Sequence, residues 1–215
     1  MKKLFHRYSR KTWIVFGIAL VLAVFVFPTL PDQIPIHFDT SGAPDNYGTR
    51  WSIFLMPGVI FGIQLLAEFT RKYDPRSEAY ESFQSYYYNI HFAVALLMLG
   101  AEIMIICAIY GIDINMSLIM QAGAGFLFIF LGNMMPKFKH NYFVGIKTSW
   151  TLASEEVWYL THRFAGKVWV VGGVLMLLSA LLPVEASWWV YLLITLVLAV
   201  LPLGASFYYY NKLEK

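Results

Sequence analysis

Six apolar segments, at roughly 12–30, 51–69, 88–110, 116–135, 167–182 and 187–208, dominate the chain. Crossing about 30 Å of hydrocarbon takes roughly 20 apolar residues in a helix, and these runs reach or approach that length. Lipid offers backbone groups no water, so a spanning chain must be helical or a closed barrel. The runs are continuous rather than alternating, which favours helices. The expected fold class is therefore an all-α integral membrane protein with six transmembrane helices. Composition agrees, with 59% hydrophobic and 13% charged residues and a mean hydropathy of +0.58, where a soluble domain carries about a quarter charged residues. The first run is longer than a signal-peptide core and lacks a convincing small-x-small cleavage site after it, so it reads as a retained anchor.

Lysine and arginine set the expected orientation, because short cytoplasmic loops are enriched in them. The N-terminus carries Lys2, Lys3, Arg7, Arg10 and Lys11. The first connection sets Asp32, Asp39 and Asp45 against Arg50 alone, whereas the second has Arg71, Lys72 and Arg76. Asp113 and Glu185 mark the third and fifth connections, which have no basic residue. The fourth holds Lys137, Lys139, Lys147 and Arg163, and the tail ends with Lys212 and Lys215. Both termini and the even connections are thus expected in the cytoplasm. The expected layout is a cytoplasmic N-terminus (1–11), two spans around an ordered outer loop (12–70, loop 31–50) and spans three and four (71–135). A cytoplasmic loop (136–166) then leads to the last two spans and tail (167–215).

A net charge of +3 distributed this way speaks for membrane orientation and not for direct nucleic acid binding. Cys107 is the one cysteine, so no internal disulfide and no paired-cysteine metal site exists. Tyr86 to Tyr88, Trp188 with Trp189, and Tyr208 to Tyr210 stand at expected span ends, where a ring with one wet end is favoured.

The outer loop, "LPDQIPIHFDTSGAPDNYGTRW" (30–51), is punctuated by prolines and glycines, Gly42 among them, and is expected to be a compact series of turns. His37 and Asp39 fall on one side of an extended segment and Asp45 follows a turn, but three ligands without a tight spacing make turn capping the better reading than metal binding. A peptide-facing surface is the further expectation. Within the spans, Glu68, His91, Glu102 and Gln121 are polar where polarity is expensive. Depth pairs Glu68 with His91 and Glu102 with Gln121, as glue between helices or as a path for a proton or substrate. "AGAG" at 122–125 and "GG" at 172–173 allow helices to approach closely.

The fourth connection is too patterned for a passive tether. Pro136 stops the preceding helix. Ser154 is an N-cap, with Glu155 and Glu156 in the first turn, so a short helix is expected at about 155–165. Asn141, Thr148 and Thr151 can tie the turns by side-chain to backbone bonds. Trp150 and Trp158 are expected at the lipid interface, leaving Lys147, His162 and Arg163 as an exposed basic site that docks an acidic patch of a cytoplasmic partner or, in the alternative, neutralises Glu155 and Glu156 and contacts anionic membrane lipid headgroups.

The stretch "GNMMPKFKHNYFVGIKTSWTL" followed by "EEVWYLTHRFAGK" closely resembles the signature region of the SdpI family of bacterial membrane proteins. The outer loop resembles the small N-terminal domain of unknown function that accompanies it. Matching positions are Asn133, Pro136, Asn141, Gly145, Lys147, Trp150, Thr151, Trp158, Thr161, His162 and Arg163. Two positions depart from the family's usual "GIRTPWTL": Lys147 stands for the arginine and Ser149 for the proline. A bidentate contact is thereby lost at 147. The resemblance implies a multi-pass immunity protein of the cell membrane that protects against a secreted peptide toxin. It also implies signalling, through a cytoplasmic transcriptional repressor held at the membrane.

Two other classes stay open on the residues alone. An enzyme could use His140, Glu155, Glu156 and His162, although no HExxH, nucleophile elbow or paired aspartates within spans appear. A transporter would need broken helices, hinted at only by Pro57 with Gly58 and Pro202 with Gly204. No cofactor and no metal is expected.

Overall fold

A computed structural model describes residues 7–213. The charges expected at Lys2, Lys3 and Lys215 lie outside the described residues. The main elements are helix α1 (Arg10–Val26), strands β1 (Gln33–Phe38) and β2 (Pro44–Thr49), and helices α2 (Leu55–Tyr73), α3 (Tyr80–Ile109) and α4 (Met116–Met134). Helices α5 (Ser149–Ala153), α6 (Glu155–Ser179) and α7 (Val184–Leu213) follow. The chain divides into two compact units, one of residues up to Glu68 with Tyr88–Met120, the other of Phe69–Tyr87 with residues from Gln121 onward.

Among the described residues, five helical segments are long and apolar enough to cross a membrane: Arg10–Thr29, Arg50–Tyr73, Ser77–Ile109, Met116–Lys137 and Val184–Leu213. The fifth of the six expected spans is not among them. It is the apolar end of α6, whose other half carries Glu155, Glu156, His162, Arg163 and Lys167. The short helix expected at 155–165 does not stop there but continues without a break to Ser179.

In the first unit, small residues of α1 let α2 and α3 close in. Val15 and Ala19 pack with Ile60 and Ala95, and Ala23 and Val26 with Ile53 and Ile105. Trp13 and Phe16 meet Phe61 at ring distances of 5.9 and 5.5 Å. The outer loop is an antiparallel hairpin rather than turns alone, a small β addition to an otherwise helical fold, and its register is irregular about His37. Asp39 Oδ1 accepts from the Ser41 and Ala43 amides and from Ser41 Oγ, and these bonds, Ser41's first, hold its carboxyl below the usual range. Gly42, at φ 88°, completes the turn. His37 Nδ1 and Asp45 Oδ1 are 2.6 Å apart. With Asp39 committed to the turn, no group of three His, Cys, Asp or Glu side chains among the described residues could hold a metal ion.

Glu68 accepts from Tyr88 Oη at 2.9 Å and Gln64 Nε2 at 3.1 Å, and His91 is half-buried one turn along from Tyr88. Glu102 is fully buried, and neither of its carboxyl oxygens has a hydrogen-bond partner among the described residues. In the second unit, Gln121 Nε2 donates to Ser187 Oγ at 3.1 Å. Tyr87 and Tyr88 are also not interface residues. Both are fully buried, Tyr87 bonded to Thr70 and Tyr88 to Glu68.

In the second unit, paired glycines bring α4 and α6 together. A Cβ on Gly173 would lie 2.6 Å from the Gly125 carbonyl, and one on Gly166 2.7 Å from that of Gly132. Pro136 closes α4 through one turn of 3-10 helix, Met135–Lys137.

Candidate functional site

Beyond α4 the chain has little regular structure until Ser149, so its buried polar groups must find partners elsewhere. Asn141, fully buried, supplies several of them. Its Oδ1 accepts from the Phe143 and Val144 amides at 3.0 and 2.7 Å, and its Nδ2 donates to the carbonyls of Lys139 and Val144. Asp74 plays the same part from the α2–α3 connection. Its carboxylate accepts from the amides of Arg76 and Tyr142 and from Tyr80 Oη. Tyr80 Oη also lies 3.3 Å from Asn141 Oδ1, so two side chains far apart in sequence organise one loop.

Thr148 and Thr151 form a capping box that starts α5. Thr151, fully buried, donates to the Ile146 carbonyl at 2.8 Å, while Thr148 Oγ1 reaches Ser206 on α7 at 3.1 Å. Trp150 packs on Phe207 at 5.0 Å and is half-buried. Ser154 caps α6 through the Val157 amide at 3.4 Å, as expected.

Four rings form a column: Tyr142 on His140, His140 on Trp158 at 5.0 Å, and Trp158 on His162 at 4.1 Å. Trp158 is 2% exposed and donates to the Phe138 carbonyl at 2.9 Å. It is a core residue, not an interfacial one. His162 is 1% exposed, so the expected exposed basic trio loses its middle member. The Ile146 amide donates to His162 Nε2 at 3.0 Å, so that nitrogen carries no proton. Nδ1 then donates to the Trp158 carbonyl at 2.8 Å, and the ring is neutral. Burial holds its pKa down to about 4. Gly145 lies directly over this ring at φ 120°, where a Cβ would collide with His162 Nε2 and the Trp158 ring.

Arg76 joins the second connection to this platform, donating to Glu155 at 2.7 Å and to His140 Nδ1 at 2.8 Å. His140 is thereby also neutral; burial first, then Arg76, lower its pKa, while Glu155 opposes. Beside these groups opens a cleft of about 790 Å3 lined by Arg76, Phe138, Lys139, His140, Glu155 and Tyr159, among others.

The expected site residues thus separate into two kinds. Asn141, Gly145, Thr151, Trp158 and His162 build the platform; Thr161 is buried beside them. Lys147 and Arg163 are exposed, but Lys147 Nζ folds onto the Phe143 carbonyl at 2.9 Å and Arg163 onto Tyr159 Oη at 2.8 Å. Asn133 is exposed and bonds within its own helix, and Pro136 is exposed beside the cleft. Sequence reasoning missed Asp74, Arg76 and Tyr80. The signal was "DPR" at 74–76, where an aspartate before proline commonly caps its own turn.

Residues 137–206 match the SdpI/YfhL protein family, and residues 14–61 match a domain of unknown function, DUF1648. Over 203 residues the chain is 28% identical to Immunity protein SdpI of Bacillus subtilis (strain 168), covering 94% of this chain and 95% of that one. No solved structure matches.

Proposed function

Since residues 137–206 match the SdpI/YfhL family and the chain is 28% identical to an immunity protein over 94% of its length, we propose that it is a multi-pass immunity protein of the cell membrane. In this reading it protects its own cell from a secreted, membrane-active peptide toxin. The observation that carries the reading is the near full-length match to an immunity protein, which runs through hairpin, spans and platform alike. The site supports a binding role over a catalytic one. His140 and His162 are both neutral and spent on structural bonds, and Asp74 accepts three. Six spans with both termini inside complete the proposal, with the apolar end of α6 as the fifth. The outer hairpin, with Tyr47 and Trp51 exposed, is the surface that meets the toxin.

Producing the protein in a sensitive bacterium should raise survival under the secreted toxin. Unchanged survival, with the protein present in the membrane, would sink the immunity reading. The rigid platform presents Lys139 and Lys147 to a cytoplasmic partner with an acidic patch, such as a repressor. Replacing both with alanine should abolish recruitment of such a partner to membranes while survival persists. Equal loss of both at normal protein level would remove this division of labour.

A further inference from the structure

Helices α6 and α7 pack tightly at one point and part beside it. Gly172 has no side chain, and a Cβ there would collide with Leu198. Trp169 Nε1 donates to the Leu198 carbonyl at 3.0 Å and fixes the crossing. Outside that contact lies a groove of about 470 Å3, lined by Val171 and Leu175 from α6 and Leu193, Val197 and Leu201 from α7. These five side chains are 40–62% exposed. Apolar surface of this kind on a long membrane-crossing helix meets lipid.

The ends of the groove differ. Lys167 lines one end, is exposed, and has no ion-pair partner among the described residues. Residues four apart are neighbours on a helix surface, and Arg163, Lys167 and Val171, all exposed, follow one another at that spacing on α6. Along that row two cations give way to an apolar side chain within one turn. A cation on a long stem at such a boundary reaches for the headgroup layer, and Arg163, one turn further out, can take a phosphate with two parallel N–H bonds.

We propose that the α6/α7 groove is a binding site for an anionic phospholipid, with one acyl chain along Val171, Leu175 and Val197 and its phosphate on Lys167 and Arg163. Cations at the end of an apolar groove select anionic over zwitterionic headgroups, because the chain contact is common to both and only the charge differs. The proposal needs α6 and α7 to be embedded in the membrane but not the toxin reading, so either can fail alone.

The test is native mass spectrometry of the full chain in detergent, with phosphatidylglycerol and phosphatidylcholine of the same acyl chains added separately. The wild type should retain phosphatidylglycerol about tenfold more than phosphatidylcholine. Lys167→Gln with Arg163→Gln should bring the two lipids level. Val197→Trp, which fills the groove and keeps both cations, should lower retention of both. Millimolar inorganic phosphate should not displace the lipid, and displacement would mean an anion site without a chain site. Equal retention of the two lipids by the wild type would overturn the proposal, and needs no variant to fold. So would an undiminished preference in the double glutamine variant.

Discussion

Gly145 and His162 show how a single contact organises the loop between α4 and α5. The left-handed φ of Gly145 and the ring beneath it leave no room for a side chain. Gly145→Ala is expected to cost about 1–3 kcal/mol, read as a lower melting midpoint in detergent. His162 adds a pH dependence whose sign follows from its depressed pKa. Above pH 6.5 the ring is neutral folded or unfolded, and its contribution is flat. As pH falls from 6.5 towards about 4, the unfolded chain takes up a proton that the folded site refuses, so stability drops across that window. His162→Gln, which keeps an acceptor for the Ile146 amide, should flatten this part of the melting profile; an unchanged slope would assign it to other groups. Asn141, Thr148 and Thr151 were legible in the sequence because short polar side chains among turn residues have few other uses. His162 was not. Its neighbours Lys147 and Arg163 suggested an exposed basic site, but helical periodicity turns His162 inward with Trp158 and Gly166, and Arg163 outward.

At the scale of elements, the cap of α6 was readable and its end was not. Arg163 and Lys167 resemble the close of a short helix, yet both lie on one exposed stripe of a helix that continues to Ser179. The hairpin was hidden for a related reason. Pro35 and Pro44 argue against strands, and β1 shows no alternation of burial, so the period-two signal is missing. The glycine pairs were only partly visible: "AGAG" and "GG" stand out, whereas Gly132 and Gly166 are isolated in sequence and meet only in space. Gly166→Ala should cost about 1–3 kcal/mol, because the added carbon faces the Gly132 carbonyl and neither backbone can yield alone. Gly100→Ala is the matched control, since a Cβ at Gly100 meets nothing within 4 Å. It should be neutral or stabilising by up to about 1 kcal/mol. Equal losses at the two positions would show that helix propensity, not the α4–α6 approach, sets the effect.

For the whole molecule, apolar run length found the five helices that are long and apolar enough to cross a membrane among the described residues, while a sixth crossing depends on how α6 divides between water and lipid. Among the described residues five helices qualify by length and composition, and an odd number would put the two termini on opposite sides. Lysine and arginine argue for an even number, because Arg10 and Lys11 flank one end of the chain and Lys212 the other. The two alternatives make different predictions for the α6–α7 connection. If the apolar end of α6 crosses, that connection is outside, on the same face as the hairpin and opposite the platform. If it does not, the connection shares the platform's side. Replacing Cys107 with serine removes the one native thiol, and single cysteines at the exposed positions Ala43, Glu156 and Glu185 then report each face. A membrane-impermeant maleimide added to intact cells should label positions 43 and 185 and spare 156, with 156 labelled once the membrane is opened. Labelling of 43 alone would leave α6 uncrossed and the chain with five spans. Labelling of 156 in intact cells would invert the orientation and place the platform outside, where no cytoplasmic partner could reach Lys139 or Lys147.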